Sequence, residues 1–107
     1  MSDLVKVIQS EEEFADETQS GVVLVDFFAP WCGPCRMQLP VLNTLAGTLG
    51  EKAKIVKVNT DELQGLAQKF EVDRVPTLVL LKDGNVVDRF LGIQQEATLK
   101  SAIDGVS

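Results

Sequence analysis

The sequence contains no histidine and only two cysteines, so the residues that most often carry catalysis or bind metals are scarce. A structural zinc site needs four ligands, and one chain supplies only the two cysteines. A metal ion shared between two chains stays open as an alternative, because two copies would supply four thiolates. No apolar stretch approaches the roughly 20 residues that cross a bilayer, so we expect no membrane partner.

Positive charge is also scarce, since 10 lysines and arginines stand against 16 aspartates and glutamates, for a net charge of -6. Such a surface repels phosphate backbones, so we expect no nucleic-acid partner. The amino terminus is polar and acidic and lacks a basic start followed by an apolar block, which predicts no secretory signal and a cytoplasmic location. The length of 107 residues fits one domain over residues 1–107.

Both cysteines lie in the segment Trp31-Cys32-Gly33-Pro34-Cys35, directly after an apolar, strand-like run. A Cys-X-X-Cys pair can close into a disulfide within one helical turn and reopen by thiol exchange. A purely structural role fits poorly, because closing a loop of about four residues contributes only about 2 kcal/mol to stability. The spacing and its context therefore indicate a dithiol/disulfide redox site.

The two cysteines have different predicted roles. Cys32 lies at or just before the start of a predicted helix, where free N–H groups and the helix dipole favour the thiolate that attacks disulfides. Cys35, one turn further on, is expected to be less exposed and to resolve the mixed disulfide by attacking Cys32. Gly33 and Pro34 add no positive charge to stabilise the thiolate further, which favours a reductant over an oxidant.

Asp26 is a carboxylate within a strand that is otherwise apolar. Burying an ionised carboxylate without a partner costs several kcal/mol, so we expect its pKa to be raised. Near the Cys35 thiol, Asp26 would accept the proton that this thiol releases; the alternative is a strand-end side chain hydrogen-bonded to backbone. Lys57, in another apolar strand, is the candidate partner of Asp26, unless its ammonium group extends to water.

Hydrophobic periodicity and turn signals predict five strands and four helices in the order β-α-β-α-β-α-β-β-α. Strands are predicted at residues 4–8, 22–28, 54–59, 77–81 and 86–91, and helices at 11–18, 34–49, 61–70 and 96–103. The early β-α-β units require parallel pairing, and a tight turn at 82–85 makes the last two strands an antiparallel hairpin. The predicted class is α/β, with a mixed sheet covered by helices on both faces.

This order, with Trp-Cys-Gly-Pro-Cys between the second strand and the second helix, resembles the thioredoxin family over essentially the whole chain. The further markers are Asp26, Pro40, Lys57, Val75-Pro76, Gly84 and Gly92. The resemblance implies the thioredoxin fold and a general protein-disulfide reductant with no bound cofactor. It also implies disulfide-containing protein substrates, a monomer, and recycling by a thioredoxin reductase with electrons from NADPH or ferredoxin, since this chain has no nucleotide-binding loop of its own.

The resemblance further implies a cis peptide bond before Pro76, which would bring this loop beside Cys32 and present the Val75 backbone to an extended substrate. The alternative is a proline that opens an ordinary strand. Trp31 is expected on an apolar surface around the sulfur, with a place in the core as its alternative. The predicted substrate-binding residues are Trp31, Val75, Pro76, Gly92 and Ile93.

Three segments depart from the family pattern and bear on the choice of partner. Phe28 stands where many members carry a second tryptophan, Gln38-Leu39 is bulkier and more polar than expected, and Leu91 and Ile93 place large side chains around Gly92. Two other functions stay open at this point. One is a thiol oxidant or isomerase, and the other is a binding module in which the cysteines are incidental.

Overall fold

A mixed sheet of five strands carries the fold, and the computed structural model describes it over residues 4–107. The strands are β1 Lys6–Val7, β2 Val22–Phe28, β3 Lys54–Asn59, β4 Thr77–Lys82 and β5 Asn85–Leu91. The helices are α1 Glu11–Thr18, α2 Gly33–Leu49, α3 Gln64–Lys69 and α4 Glu96–Val106. The predicted α/β class and element order are confirmed.

The strands lie in the spatial order β1-β3-β2-β4-β5, with β2 at the centre. Both β1 and β2 pair with β3 in parallel, and β4 is antiparallel to β5, as the sequence predicts. The structure adds that β4 is also antiparallel to β2. The hairpin turns through Asp83 and Gly84, whose φ angles of 51° and 84° match a two-residue turn with positive φ at both positions. None of the helices within residues 4–107 is long and apolar enough to span a bilayer.

Two apolar layers cover the two faces of the sheet because successive strand residues point to opposite sides. One layer packs α2 and α4 against Leu24 and Leu80, and the other packs α1 and α3 against Val25 and Val79. Asp26 lies on β2 two residues after Leu24, so its side chain points toward the α2 face. The alternation of β2 thus aims one carboxylate at the helix that begins with the cysteines.

Two elements are shorter than the sequence predicts. The first strand, expected over residues 4–8, has in-register partners in β3 only at Lys6 and Val7, although the Ile8 N–H donates to the Lys57 carbonyl and both Val5 and Ile8 are buried. The third helix, expected over 61–70, begins at Gln64 because the Asn59 side chain accepts the N–H groups of residues 61 and 62 and holds a separate turn. A periodic pattern of apolar residues predicts which side chains are buried. Burial alone does not determine the residue at which strand pairing or a helix begins.

The remaining boundaries agree within three residues. The first helix, β2 and β3 have the predicted bounds, and the Ser10 hydroxyl caps α1 by accepting the Glu13 N–H at 3.1 Å. The Glu13 carboxylate accepts the N–H of Gln9 rather than that of the N-cap Ser10, so the pair differs by one residue from a standard capping box. Helix α2 continues through Pro40, and α4 extends to Val106 rather than ending at Ile103.

Candidate active site

The two cysteines form a disulfide at the start of α2. Cys32 is the N-cap residue, with extended backbone angles of φ -89° and ψ 112°, and its sulfur accepts the Cys35 N–H at 3.1 Å. The Cys32 sulfur therefore caps the N-terminus of α2. Pro34 lies in the first turn, where its missing N–H is not needed. An N–H group and a helix dipole that point at a sulfur stabilise it as a thiolate once the disulfide is opened.

Both cysteines are equally buried, at 4% exposure each, so the expectation that Cys35 is the less exposed of the two is wrong for this disulfide form. The reason is the loop that precedes β4. Val75 packs against the disulfide together with Phe28, and its carbonyl oxygen lies 3.7 Å from Cys32 Sγ. The sulfur that a substrate must reach is therefore flanked by backbone from a different part of the chain.

Asp26 is buried in β2 with 1% exposure, and no residue of the described chain hydrogen-bonds to its Oδ1 atom. Burial raises the pKa of the Asp26 carboxyl to about 7, and the positive charge of Lys57 acts in the opposite direction. Lys57 is the residue of β3 that pairs in register with Asp26, so the carboxylate and its candidate partner lie on adjacent strands. The Lys57 Nζ atom lies 5.7 Å from the centre of the Phe28 ring.

A cavity of about 100 Å³ links the carboxyl to the disulfide. Asp26, Lys57 and Cys35 all line it, and Arg36 and Leu39 of α2 contribute to its wall. The lining is mostly apolar, but Asp26 and Lys57 contribute polar groups, and the volume has room for water that could carry a proton between a thiol and a carboxylate. The structure thus brings together the three groups that the sequence singled out in separate elements.

Four of the predicted substrate-binding residues, Val75, Pro76, Gly92 and Ile93, lie on two loops that a hydrogen bond joins, and Val75 packs against the disulfide. The Val75–Pro76 peptide bond is cis, as the family resemblance implied, and Pro76 itself is buried. The Pro76 carbonyl accepts the Gly92 N–H at 2.9 Å, which joins the two loops. Ile93, next to Gly92, is 45% exposed, so the loops present an apolar side chain to solvent.

Trp31 is 71% exposed, which rules out its alternative as a core residue. Its indole Nε1–H donates to Asp61 Oδ2 at 3.1 Å, and the ring lines a shallow pocket with Val75 and Arg74. Sequence reasoning assigned no role to Asp61, since it interpreted this residue as the start of a helix. The only local signal for a role of Asp61 was that an acidic residue stands next to a turn capped by an asparagine side chain.

No group of three or more His, Cys, Asp or Glu side chains in residues 4–107 is arranged to hold a metal ion. A disulfide in the first turn of a helix, with its outer sulfur covered by a neighbouring loop, is the arrangement of a thiol–disulfide oxidoreductase.

Comparison with known proteins leads to the same class. The sequence model of the family described as Thioredoxin matches residues 5–105. The chain is 50% identical to a thioredoxin of Staphylococcus saprophyticus, over 94% of this chain and 95% of that protein. It is 46% identical to a thioredoxin of Bacillus subtilis, over 89% and 91% of the two chains.

Solved structures agree as well. A mutant thioredoxin from Halobacterium salinarum superposes with a TM-score of 0.89 at 43% identity, covering 96% of this chain and 90% of that one. Thioredoxin of Malassezia sympodialis superposes with a TM-score of 0.88 at 36% identity, covering 97% and 91%. The chain belongs to the thioredoxin family. It is a protein-disulfide reductant whose redox-active centre is the Cys32–Cys35 disulfide.

Proposed function

We propose that the protein opens disulfides of other proteins in two exchange steps. The Cys32 thiolate attacks one sulfur of the substrate disulfide, forms a mixed disulfide and expels the other substrate sulfur as a thiolate. The Cys35 thiol then loses its proton and attacks Cys32, which closes the Cys32–Cys35 disulfide and releases the second substrate thiolate. Two electrons pass to the substrate. The observation that carries this assignment is the N-cap position of Cys32.

Asp26 takes the proton from Cys35 in the second step of this proposal. Its support is the shared cavity, together with a pKa of about 7, which leaves a large fraction of Asp26 ionised at neutral pH. Lys57 acts through Asp26 as a positioning residue, because its charge favours the ionised carboxylate. Gly33 and Pro34 tune the site by leaving the thiolate without an additional positive neighbour.

The substrate lies across the two loops in this proposal. An extended segment next to the substrate disulfide pairs with the Val75 backbone, as a strand adds to an exposed edge. Trp31, Gly92 and Ile93 contact its side chains, and Pro76 fixes the loop that carries Val75. The support is the exposure of the Trp31 and Ile93 side chains and the packing of Val75 against the disulfide.

Four further assignments complete the proposal. Residues 1–107 act as one domain and as a monomer. A thioredoxin reductase regenerates the dithiol with electrons from NADPH or ferredoxin, and no cofactor is bound to this chain. The protein works in the cytoplasm, where thiols are kept reduced and a reductant can be recycled.

The direction of electron flow is tested by the equilibrium redox potential of the Cys32–Cys35 pair. Trp31 is adjacent to Cys32, so its fluorescence in glutathione or dithiothreitol buffers reports the oxidised fraction. We expect a potential well below that of the cytosolic glutathione pool, as a reductant requires. A potential at or above that pool would instead identify an oxidant or isomerase and would overturn the proposed compartment.

The roles of the two cysteines are tested by single Cys→Ser variants. Cys35→Ser should accumulate a mixed disulfide with a protein substrate, since nothing remains to resolve it. Cys32→Ser is the matched control and should form none. Mass spectrometry of the intact adducts measures both, and equal trapping by the two variants would contradict the assignment.

A further inference from the structure

Gln38 is a polar side chain with no exposed surface, on the buried face of α2 three residues after Cys35. Both ends of its amide are occupied by the backbone of one residue. Gln38 Nε2 donates to the Gln94 carbonyl at 2.9 Å, and Gln38 Oε1 accepts the Gln94 N–H at 2.6 Å. The Gln38 amide thus exchanges two hydrogen bonds with the Gln94 backbone, as two paired residues of adjacent strands can do.

The loop that receives this pair is also the loop that carries Gly92 and Ile93. Gln94 Nε2 donates to the carbonyl oxygens of Leu91 and Gly92, so the loop is folded around its own side chain. The Gly92 N–H is bonded to Pro76. The loop is therefore attached to the cis-proline segment on one side and to the cysteine-bearing helix on the other, and Gln38 makes the second attachment.

Removing the Gln38 amide would leave a partly buried N–H and a partly buried carbonyl of Gln94 without partners. Unpaired buried polar groups are costly, and a short loop relieves the cost by moving toward water. Any such movement displaces Ile93, which is adjacent to Gln94 in the chain. Cys32 lies at the start of α2, where it is itself the N-cap residue and accepts the Cys35 N–H. The chemistry of its sulfur should therefore not change.

We propose that Gln38 is a positioning residue for substrate recognition, which holds the 91–94 loop at a fixed place beside the Cys32 sulfur. This inference rests on the proposed function, because it assigns Gly92 and Ile93 to the substrate surface. It explains a glutamine at a position where the sequence led us to expect a small or apolar residue. The substrates affected are folded proteins and peptides large enough to lie across the loop, and small disulfides are not among them.

The test compares Gln38→Leu with the wild type on two substrates. Reduced protein is mixed with excess insulin or with hydroxyethyl disulfide, and oxidation is followed through Trp31 fluorescence. We expect the insulin concentration for half-maximal rate to rise by roughly fivefold, as loss of a net hydrogen bond implies. The limiting rate and the rate constant with hydroxyethyl disulfide should stay within about twofold of wild type, since the sulfur is unchanged.

Thr18→Val is the matched control. It removes one buried hydrogen bond, from Thr18 Oγ1 to the Phe14 carbonyl, where Gln38→Leu removes two, and it lies on α1 against the opposite face of the sheet. It should leave both substrates unaffected. Equal effects of the two variants, an unchanged insulin half-saturation in Gln38→Leu, or equal losses on both substrates would overturn the proposal. The wild-type rate with insulin tests the proposed substrate class, whereas the ratio of variant to wild type tests Gln38.

Gln38→Glu gives a second test that does not depend on tolerating leucine. A protonated glutamate can donate to the Gln94 carbonyl and accept its N–H, whereas the ionised form can only accept. Burial raises the pKa of such a carboxyl. We therefore expect the insulin half-saturation of this variant, relative to wild type, to be near one at acidic pH and to rise as pH increases. A ratio independent of pH would contradict the two-way hydrogen bond.

Discussion

The proton and the electron pair of the proposed reaction are handled by residues from different strands and helices. Cys32 and Cys35 belong to one helical turn, but the carboxyl that would accept the Cys35 proton comes from β2 and its charged neighbour comes from β3. Burial makes Asp26 a weaker acid than an exposed aspartate, with a pKa of about 7. A base whose pKa lies near the working pH is suited to both accepting and releasing a proton.

Replacing Asp26 with Asn should slow the resolving step without abolishing it, because water can still take the proton. We expect a loss of roughly tenfold to 100-fold at pH 8. Below pH 7 the wild-type carboxyl is itself protonated, so the two rates should converge there. Stopped-flow Trp31 fluorescence against pH measures this, with the exposed Asp16→Asn as control. Identical profiles of wild type and Asp26→Asn would remove the carboxyl from the mechanism.

The same carboxyl predicts a pH-dependent stability. Its pKa is raised on folding, so the folded state binds a proton that the unfolded state has lost between the ordinary aspartate pKa of 3.8 and about 7. Stability must therefore fall as pH rises through that window. Near pH 4 the free energy of unfolding of Asp26→Asn should equal that of wild type. At pH 8 it should be higher than that of wild type by a few kcal/mol, at about 1.4 kcal/mol per pKa unit. Urea denaturation at both pH values measures the difference, and a constant difference would contradict the raised pKa.

At the scale of elements, an arginine on β5 fixes the end of α3. Arg89 Nη1 donates to the Phe70 carbonyl at 2.6 Å, and Nη2 donates to the Glu71 carbonyl at 2.7 Å. Glu71 has a φ of 56°, a left-handed conformation that is costly for any residue with a side chain. The guanidinium fork thus holds a turn that the local sequence does not favour, at the start of the loop that leads to Val75.

Arg89→Lys should lower the free energy of unfolding by about 1 kcal/mol, because a lysine cannot bond both carbonyls at once. Glu71→Gly should raise it by about 1 kcal/mol, since glycine adopts positive φ without the steric cost. Denaturant unfolding checks both values. The control is Arg74→Lys, whose ion pair with the adjacent Asp73 is exposed and should contribute little. An equal loss in Arg74→Lys and Arg89→Lys would show that the two hydrogen bonds of the Arg89 fork are not responsible.

The sequence predicts well those elements whose signals are local. The bounds of α1, β2 and β3 follow from a capping serine, a continuous apolar run and a short, largely apolar run. It fails where an end depends on a side chain outside the pattern, as with Asn59 before α3. It also misses contacts between distant segments: Gln38 lies 56 residues from Gln94, and Arg89 lies 18 residues from Glu71. Only the folded chain brings such pairs together.

Unlike those distant contacts, the roles of the cysteines and Asp26 can be predicted from the sequence, because the chemistry of these residue types restricts what they can do. Two cysteines at this spacing have few uses, and a carboxylate in an apolar strand must have a raised pKa or a partner. The cis bond at Pro76, in contrast, had no local signal and followed from family resemblance alone. The redox centre was therefore predictable from residue types, whereas the surface that receives the substrate was only partly so.

The whole molecule is nearly isometric, with extents of 29 × 28 × 28 Å, and it carries a net charge of -6. At these dimensions a charged substrate meets the field of the entire surface before it reaches the disulfide. Like charges slow such an encounter, and added salt screens them. Substrate charge should therefore influence the rate even when the residues that contact the substrate are apolar.

We expect the reduction of an acidic protein disulfide to become several-fold faster between about 0.01 M and 0.3 M salt, where the Debye length falls from about 30 Å to below 10 Å. A basic substrate should show the opposite trend. Second-order rate constants measured against sodium chloride concentration test both, with uncharged hydroxyethyl disulfide as the control. Equal salt dependence for acidic and basic substrates would exclude long-range electrostatics from partner choice.

The disulfide joins residues only three apart in sequence, so it encloses a single turn of helix and connects no two distant parts of the chain. A loop this short restrains the unfolded chain very little. The sheet and its two apolar layers are therefore complete whether the bond is open or closed. The protein can therefore carry two electrons while its fold stays the same, because the fold does not depend on the disulfide that it exchanges with other proteins.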